Sequence, residues 1–355
     1  CFQNEADPHG SYEKVKNFSS IESVRDNMEV RKLNTKIYSA ALNSEGKLVK
    51  TAVKRMHRLF VNDAYKLAFT DGNELQVSRN QPFYTFRHGK PVWTRASELE
   101  INDYIAKPSK LGAFGKSVNV ALPKNPNLRL IREDKDFYYV KIFSTKEITK
   151  LPQKLTPELA EFLGWFASEG NISKDGVSIC NKNAAFREEI KGLFTIFVEE
   201  KRVKEYDDKI IAYSTPLVNY LEQLFEQKLV GKKSYSIGIP KVVSKASEDV
   251  IAAFLRALYK GDGHIDGQKV EYGTMSKGLA HGVSYLLTIL GIKYRYWQRK
   301  DGMNMITVSG KLEISKFKGQ VYGTEENVEI RRHYNARYVL PDVSPLLKTV
   351  KESLR

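Results

Sequence analysis

Two acidic residues, Glu169 and Asp262, end two related segments and could act together on metal ions. Each acid follows a helix-forming run and precedes a glycine, in residues 161–170 and 254–263. Paired carboxylates are suitable ligands for hard divalent cations such as Mg²⁺. Ions held in this way activate water and stabilise both oxygens of a phosphodiester displacement. The pair therefore predicts phosphodiester hydrolysis with two or three Mg²⁺ ions shared between the acids.

Small residues recur four apart in both segments, as Gly164 and Ser168 in the first and as Ala257 and Gly261 in the second. Residues four apart share one face of a helix, and small side chains let two helix backbones approach closely. If the two helices pack face to face, the acids meet at their C-terminal ends. For a single acid at a helix end, a capping or solvated residue is the better explanation. The duplication favours the metal site.

The glycines that follow the acids, Gly170 and Gly263, are expected to end the helices in the left-handed conformation. Each segment is followed by strands, an amphipathic helix, two more strands and another helix. The acids are 93 residues apart, from 169 to 262, which is enough for one αββαββα unit. We therefore predict this unit twice, in residues 151–240 and 241–325, with a C-terminal helical extension over 326–355.

Residues 1–110 predict a β-rich domain, a small sandwich or pseudo-barrel, because short alternating runs are separated by turn residues. The Asp71-Gly72 turn is a strong hairpin signal. Residues 111–150 are interpreted as a basic linker or a DNA-contact region. The predicted strands are Lys36–Leu42, Lys47–Val53, Tyr65–Thr70, Glu74–Ser78, Phe83–Arg87 and Pro91–Arg95.

The composition limits the classes of function. The 355 residues carry a formal net charge of +15, which indicates a nucleic-acid partner or an ordinary solvated basic surface. Cys1 and Cys180 are the two cysteines, too few for a disulfide framework, so we expect a reducing compartment and a cytoplasmic protein. Without an apolar run of about 18 residues or a signal-peptide core, we expect no membrane partner.

Residues 150–345 resemble the paired LAGLIDADG motifs of monomeric homing endonucleases, in the form found inside inteins. The resemblance implies that Glu169 and Asp262 bind the catalytic metals together with the backbone carbonyls of Ser168 and Gly261. It implies a monomer with internal pseudo-twofold symmetry, whose two sheets form a saddle on double-stranded DNA and whose cleavage leaves staggered ends. The expected fold is a multi-domain α+β architecture, with an all-β Hint-like domain followed by the duplicated αββαββα endonuclease domain.

Further residues match polar positions of that family. Asn181 and Lys182 follow the first motif, and Ser276 and Lys277 follow the second. Lysines there could order water or neutralise the transition state, or they could be phosphate contacts or solvated helix starts. Arginine and glutamine suit purine edges in the major groove, whereas lysines mostly hold phosphates. The further residues predicted to contact DNA are Lys201, Arg202, Lys204, Lys232, Lys233, Arg295, Gln298 and Arg299.

The N-terminal part resembles the splicing domain of inteins, with Cys1 as the nucleophile of an N-to-S acyl shift. Residues 75–83 resemble the Thr-x-x-His block of that family, with Ser78 at the threonine and Gln81 at the histidine position. Because histidine helps activate the scissile amide, Gln81 predicts impaired splicing. The chain also ends Lys351–Arg355 without the His-Asn pair of that family.

The sequence is therefore interpreted as a site-specific, Mg²⁺-dependent double-strand DNA homing endonuclease from an intein, with self-splicing impaired or absent. Two alternatives stay open at this point. One is a non-cleaving nucleic-acid binder on the same scaffold, such as a maturase or a regulator. The other is a protein-splicing element with a vestigial nuclease. The acids present in both motifs favour the enzyme.

Overall fold

The computed structural model describes residues 19–25, 28–43, 47–112, 115, 117–229, 233–266 and 268–324. Cys1, Lys232, the side chain of Lys233 and the predicted extension over 326–355 lie outside these residues. The chain falls into two compact units, divided between Leu111 and Gly112. Within the described ranges, no helix combines the length and the apolar character needed to cross a lipid bilayer.

The first unit is built from antiparallel strands. Its hairpin turns use positive φ angles, at Gly72 (87°), His88 (52°) and Gly89 (76°), which confirms the predicted hairpins there. The described strands form three separate sheets, β1-β2-β3, β4-β5 and β7-β6-β8, and are not joined into one barrel. The strands are β1 Ser19–Arg25, β2 Met28–Leu42, β3 Leu48–Leu59, β4 Ala64–Ala68, β5 Glu74–Ser78, β6 Pro82–Arg87, β7 Lys90–Arg95 and β8 Tyr104–Ile105.

The second unit opens with a three-stranded antiparallel sheet that the sequence analysis did not predict. It consists of β9 Leu128–Glu133, β10 Phe137–Ile142 and β11 Thr149–Pro152, in the order β11-β10-β9. Part of the segment interpreted as a basic linker or DNA-contact region is thus an ordered sheet.

The remainder of the second unit contains one order of elements twice, which confirms the predicted αββαββα repeat. The two four-stranded sheets have the same strand order, β12-β13-β15-β14 and β16-β17-β19-β18. The first repeat comprises α1 Pro157–Glu169, β12 Gly170–Ile172, β13 Gly176–Cys180, α2 Ala184–Phe194, β14 Val203–Glu205, β15 Lys209–Tyr213 and α3 Thr215–Leu224. After the short helix α4 Lys233–Ser236, the second repeat comprises α5 Glu248–Asp262, β16 Gly263–Ile265, β17 Lys269–Thr274, α6 Lys277–Leu290, β18 Arg295–Gln298, β19 Asn304–Ser309 and α7 Lys311–Phe317.

Local sequence explains where these helices begin. Thr156 caps α1 by accepting a hydrogen bond from the Leu159 amide at 3.3 Å, and Pro157 takes the first helical position. Asn183 caps α2 and Ser276 caps α6 in the same manner. One face of each sheet is buried against the helices, so residues of alternating parity along the strands form the core while the others face away. These outward faces matter for the candidate site.

Candidate active site

The helices α1 and α5 pack against each other through their small residues. A methyl group on Gly164 would lie 2.3 Å from the Phe254 carbonyl oxygen and 2.9 Å from Cβ of Ala257. Real Cβ atoms do not approach a backbone oxygen so closely, so at this point the two helices are separated by little more than their backbones. The predicted face of small residues is confirmed.

The same close packing continues to the C-terminal ends, where the acids lie. A methyl group on Gly261 would lie 2.3 Å from the Ser168 hydroxyl oxygen and 3.2 Å from Cγ of Glu169. The side chain of Glu169 therefore lies against the residue that directly precedes Asp262. The acids, 93 residues apart in the chain, are brought to neighbouring helix ends by this contact.

The charges of both acids affect the pKa of one buried phenol, that of Tyr272. Burial raises the pKa of Tyr272 well above its usual value, and the negative charges of Asp262 and Glu169 raise this pKa further. Charges influence a group in this way only over short distances. Tyr272 lies on β17 opposite Gly263, the residue that follows Asp262. Glu169 and Asp262 thus lie in one local environment.

The glycines after the acids have a different role from the one predicted. Gly170 has φ −76° and Gly263 has φ −86°, both extended rather than left-handed. The requirement for glycine is steric: a methyl group on either residue would lie 2.4 Å from a carbonyl oxygen of the preceding turn, that of Phe166 or of Tyr259. Glycine therefore lets the chain pass directly from each helix into the next strand.

The groups at this end of the helix pair that could bind a cation are oxygen atoms. Glu169 is half-buried and Asp262 is exposed, and the Ser168 hydroxyl donates to the carbonyl oxygens of Gly164 and Trp165, both at 3.2 Å. In the described part of the chain, His, Cys, Asp and Glu side chains form no cluster of three that could hold a metal. A cation here would need the two carboxylates together with backbone carbonyls and water. Such an all-oxygen set fits Mg²⁺, which binds through few carboxylates and keeps several waters.

The polar residues after the motifs are not equivalent between the repeats. Asn181 accepts a hydrogen bond from the Asn183 amide at 2.9 Å, just as Thr274 accepts one from the Ser276 amide at 3.1 Å. The structural counterpart of Asn183 is therefore Ser276, the helix cap, rather than a surface residue. Ser276 is 1% exposed and donates to the Ile237 carbonyl oxygen at 2.5 Å, so its predicted role in DNA contact is wrong.

The two lysines predicted beside the metals occupy different positions. Lys182 is exposed and precedes the cap of α2, whereas Lys277 is exposed and is the first residue of α6. They do not correspond to each other by position. A catalytic role for either lysine stays a prediction.

Two basic residues occupy equivalent places on the outward faces of the sheets. Lys204 on β14 pairs with Ile211, and Arg295 on β18 pairs with Thr307. Both are exposed edge-strand residues on the side away from the helices. This placement is the one that binding of DNA by the two sheets requires.

Other predicted DNA contacts are engaged within the fold. The Arg202 guanidinium donates to the carbonyl oxygens of Ile148 and Tyr213, both at 2.9 Å, and therefore joins two segments of the unit. The Gln298 amide donates to the Gly302 carbonyl oxygen at 3.0 Å, and Arg299 forms an ion pair with Asp301 at 3.0 Å; both contacts close the β18–β19 hairpin. Lys201 is exposed and paired with Glu199 at 2.6 Å.

Further residues that were not predicted lie on the same outward faces. The second sheet presents His264, Glu271 and Thr307 in one row with Arg295, while the first presents Asn171, Ser178 and Ile211 with Lys204. Apolar and polar residues alternate along β13 and β17, and this alternation could have identified which residues face outward.

An ion-pair network across the helix pair was also missed. Lys260 of α5 pairs with Glu189 of α2 at 2.7 Å, and Arg256 of α5 pairs with Glu161 of α1 at 3.1 Å. The Trp165 indole donates to Glu189 at 3.0 Å. The two ion pairs each join the two repeats, across 71 and 95 residues of sequence, so no local pattern indicates them.

Comparison with known proteins finds a family match within the second repeat. Residues 249–322 match the family of LAGLIDADG-like domains. The replication factor C small subunit of Methanocaldococcus jannaschii is 23% identical over 88% of this chain and 15% of its own length. An A-type ATP synthase subunit of Pyrococcus abyssi is 26% identical over 82% of this chain and 28% of its own length. The chain thus spans less than a third of these curated relatives.

Among solved structures, variants of the homing endonuclease I-DmoI are similar to this chain. The similarity covers 47% of this chain and 96% of that one, at 16% identity and a TM-score of 0.39.

Proposed function

We propose that the chain is a site-specific endonuclease that cleaves both strands of duplex DNA, because residues 249–322 match LAGLIDADG-like domains. The reaction is Mg²⁺-dependent hydrolysis of phosphodiesters at a long recognition site. Glu169 and Asp262 are the metal ligands, together with the carbonyl oxygens of Ser168 and Gly261.

The observation that carries this proposal is the contact between Gly261 and Glu169 at the ends of α1 and α5. Two like charges at the negative ends of two helices repel each other, and the arrangement is stable when cations lie between them. A helix pair built only for packing has no need of an acid at this position in both repeats. The placement is therefore better explained by divalent ions than by stability.

The residues around this point support hydrolysis of a phosphodiester. Mg²⁺, when bound, supplies charge stabilisation at the attacking and leaving oxygens. Glu169, half-buried beside Ser168, offers one fixed carboxylate, and Asp262, exposed, offers the second toward the duplex. Lys204 and Arg295 on the outward faces hold the DNA, the lysine through phosphates and the arginine through phosphates or base edges.

The relatives support the origin of the chain as an inserted element, which we propose to be an intein. A replication factor component and an ATP synthase component share no function in their names, yet each matches most of this chain over less than a third of its own length. Such a distribution is expected for one mobile element in different hosts. The β-rich first unit is then a Hint-like splicing domain, impaired by Gln81 at the histidine position.

The test is cleavage of a randomised duplex library in Mg²⁺, with mapping of the ends that form. The control is the double variant Glu169→Gln, Asp262→Asn, which keeps the shape of both side chains and removes their charge. We expect the wild type to give staggered ends at one sequence family and the variant to bind the same duplex without cutting it.

Two results would contradict the proposal. Cutting by the double variant would show that the acids are not the metal ligands. Tight binding by the wild type without cutting, in Mg²⁺ and in Mn²⁺, would favour the non-cleaving nucleic-acid binder.

A further inference from the structure

We propose that the outer face of the sheet β9–β10–β11 is a second DNA-binding surface, which holds the sugar-phosphate backbone of duplex DNA beside the first repeat. This inference rests on the proposed endonuclease function, because it assigns a further length of the same duplex to this sheet.

The pleat of the sheet separates an inner from an outer face. Val140 and Leu151 are fully buried and define the inner face, which packs on α3. Residues of the opposite parity on β10 therefore point outward. Across the strands, Tyr139 lies between Arg132 and Lys150, and the next outward pair joins Lys141 to Arg129. The outer face is thus defined by Arg129, Arg132, Phe137, Tyr139, Lys141 and Lys150.

The chemistry of this outer face suits a polyanion. The Arg132 guanidinium lies 3.9 Å from the centre of the Tyr139 ring, and the Lys150 ammonium lies 6.0 Å from that of Phe137. Among the described residues, no carboxylate forms an ion pair with Arg129, Arg132 or Lys141. Four cations on one face of a three-stranded sheet repel one another, and phosphate groups relieve that repulsion.

Asp134 and Glu199 lie near the border of this face, and both are already engaged. The backbone amides of Asp136 and Phe137 donate to Asp134 and lower its pKa, with smaller contributions from Tyr139 and from the charge of Arg132. Lys201 lowers the pKa of Glu199, with smaller contributions from Arg202 and Lys150. These acids hold the edges of the face in place and leave its cations in excess.

The geometry favours a duplex over a single strand. Proteins that bind single strands stack bases on open aromatic rings. Here the Arg132 guanidinium covers the Tyr139 ring. The aromatic residues therefore position the cations and offer no free stacking platform. Fixed guanidinium and ammonium groups on a flat sheet are suited to the phosphates of a duplex.

The sheet is rigidly joined to the first repeat. Four hydrogen bonds link β11 and the residue before it to that repeat: Ile148 accepts from Arg202 at 2.9 Å, Thr149 bonds Ser214 at 2.7 Å, the Lys150 amide donates to Phe197 at 2.8 Å, and Pro152 accepts from the Tyr220 hydroxyl at 2.7 Å. A surface held this firmly loses little conformational entropy when it binds.

The outer face also continues into the basic edge of the first repeat. Arg202 bonds both Ile148, next to β11, and Tyr213 of β15. Lys150 and Lys201 act on the same carboxylate, Glu199, and Lys204 follows three residues after Lys201. DNA held by Lys204 therefore passes close to Lys150.

The second repeat has no corresponding sheet in the described residues that precede it. Residues 233–247 contain the short helix α4 and a 3-10 turn at Val243–Lys245. The additional surface is thus present on one side only. The protected DNA should extend farther on the side of the first repeat than on the side of the second.

The test is the triple variant Arg129→Gln, Arg132→Gln, Lys141→Gln. The matched control is Lys228→Gln, Lys241→Gln, Lys311→Gln, which removes the same charge from the same unit on other elements. Affinity for a duplex of about 40 base pairs is measured without divalent metal across a salt series, since each phosphate contact contributes about 0.9 to the slope of log K against log salt. Thermal unfolding of both variants verifies that they fold.

We expect the slope of the triple variant to be smaller by roughly 2 to 3, and its affinity at ~0.1 M salt to fall on the order of 10²-fold. Hydroxyl-radical footprinting on a selected target should lose protection on one flank. A variant that binds like the control overturns the inference and leaves the endonuclease proposal intact. A loss confined to single-stranded DNA or RNA also overturns it. A wild type that binds no duplex rejects the endonuclease function and this inference together.

Discussion

The two repeats share one order of helices and strands but place different side chains around their acids. Three residues before the acid, the first repeat has Phe166 and the second has Tyr259. Opposite the glycine that follows the acid, the first has Ile179 and the second has Tyr272. All four side chains are fully buried, so the second repeat holds two phenolic hydroxyls where the first is wholly apolar.

This difference shows which features the duplication retains. The backbone contact between α1 and α5 and the acid at the end of each helix are common to both repeats. The buried side chains beside the acids are not common to both repeats. They are apolar near Glu169, whereas Tyr259 and Tyr272 lie near Asp262. The hydroxyl oxygens of both tyrosines have no hydrogen-bond partner among the described residues. Both repeats thus retain the acid at the end of the helix, whereas the polarity of the buried side chains near the acid differs.

The largest expected effect is on cleavage, and it tests whether both acids are needed. Glu169→Gln or Asp262→Asn alone should lower the cleavage rate by about 10³-fold or more, because each removes one of two shared metal ligands. DNA binding should persist or tighten, since a carboxylate repels phosphate. The measurement is single-turnover cleavage of each strand in Mg²⁺. Near wild-type cutting by one variant would show that only one repeat carries the chemistry.

The next effect concerns the helix contact. Gly164→Val should lower the free energy of unfolding by about 3 kcal/mol, because the new side chain meets the Phe254 carbonyl. The control is Gly192→Ala in α2, where a methyl group meets nothing within 4 Å. It should raise stability by about 1 kcal/mol, the helix-propensity difference. Denaturant unfolding measures the free energy of unfolding of both variants. Equal changes in the two would disprove the close contact between the helices.

A smaller effect tests the difference in polarity between the buried residues of the two repeats. Tyr259→Phe should leave the free energy of unfolding unchanged or raise it, because it removes a buried hydroxyl without a partner. The reciprocal Phe166→Tyr should cost about 1 to 3 kcal/mol, because it buries a hydroxyl in an apolar site. The readout is again denaturant unfolding. A destabilised Tyr259→Phe would indicate an ordered water bound to the hydroxyl.

The smallest expected effect compares the outward faces. Lys204→Ala should weaken binding to all duplexes alike and reduce the salt slope by about 1, as loss of one phosphate contact does. Arg295→Ala should cost about 1 to 3 kcal/mol at the selected target and less elsewhere, if the arginine reads a base edge. Competition binding with target and scrambled duplexes separates the two. If both variants lose the same affinity for target and scrambled duplexes, Arg295 contacts phosphate rather than a base edge.

The sequence predicted the elements that carry local signals. The repeated small residues, each followed by an acid and a glycine, indicated α1 and α5, and the repeat itself indicated the placement of the acids. The sheet β9–β11 was not predicted, because Phe137-Tyr-Tyr-Val-Lys-Ile142 lacks apolar-polar alternation: its outer face carries aromatic rings beneath cations. Ser276 was assigned wrongly because it was grouped with Asn181, whereas the 93-residue spacing of the acids matches it to Asn183.

The conformation of Gly170 and Gly263 and the partners of Lys260 depend on tertiary packing. A glycine after a helix is usually left-handed, yet here each helix passes straight into a strand, which a local pattern does not indicate. The partners of Lys260 come from helices of the other repeat, so their contact follows only from the packing of α1 and α5.

The backbone contact at Gly164 and Gly261 has a mechanical consequence. It lies on the line where the two repeats join, and the acids lie at one end of that line. If one repeat rocks against the other, atoms on this line move least, while the outer strands β14 and β18 move most. The sheets could then adjust to DNA grooves of different width, and the distance between Glu169 and Asp262 would remain nearly constant.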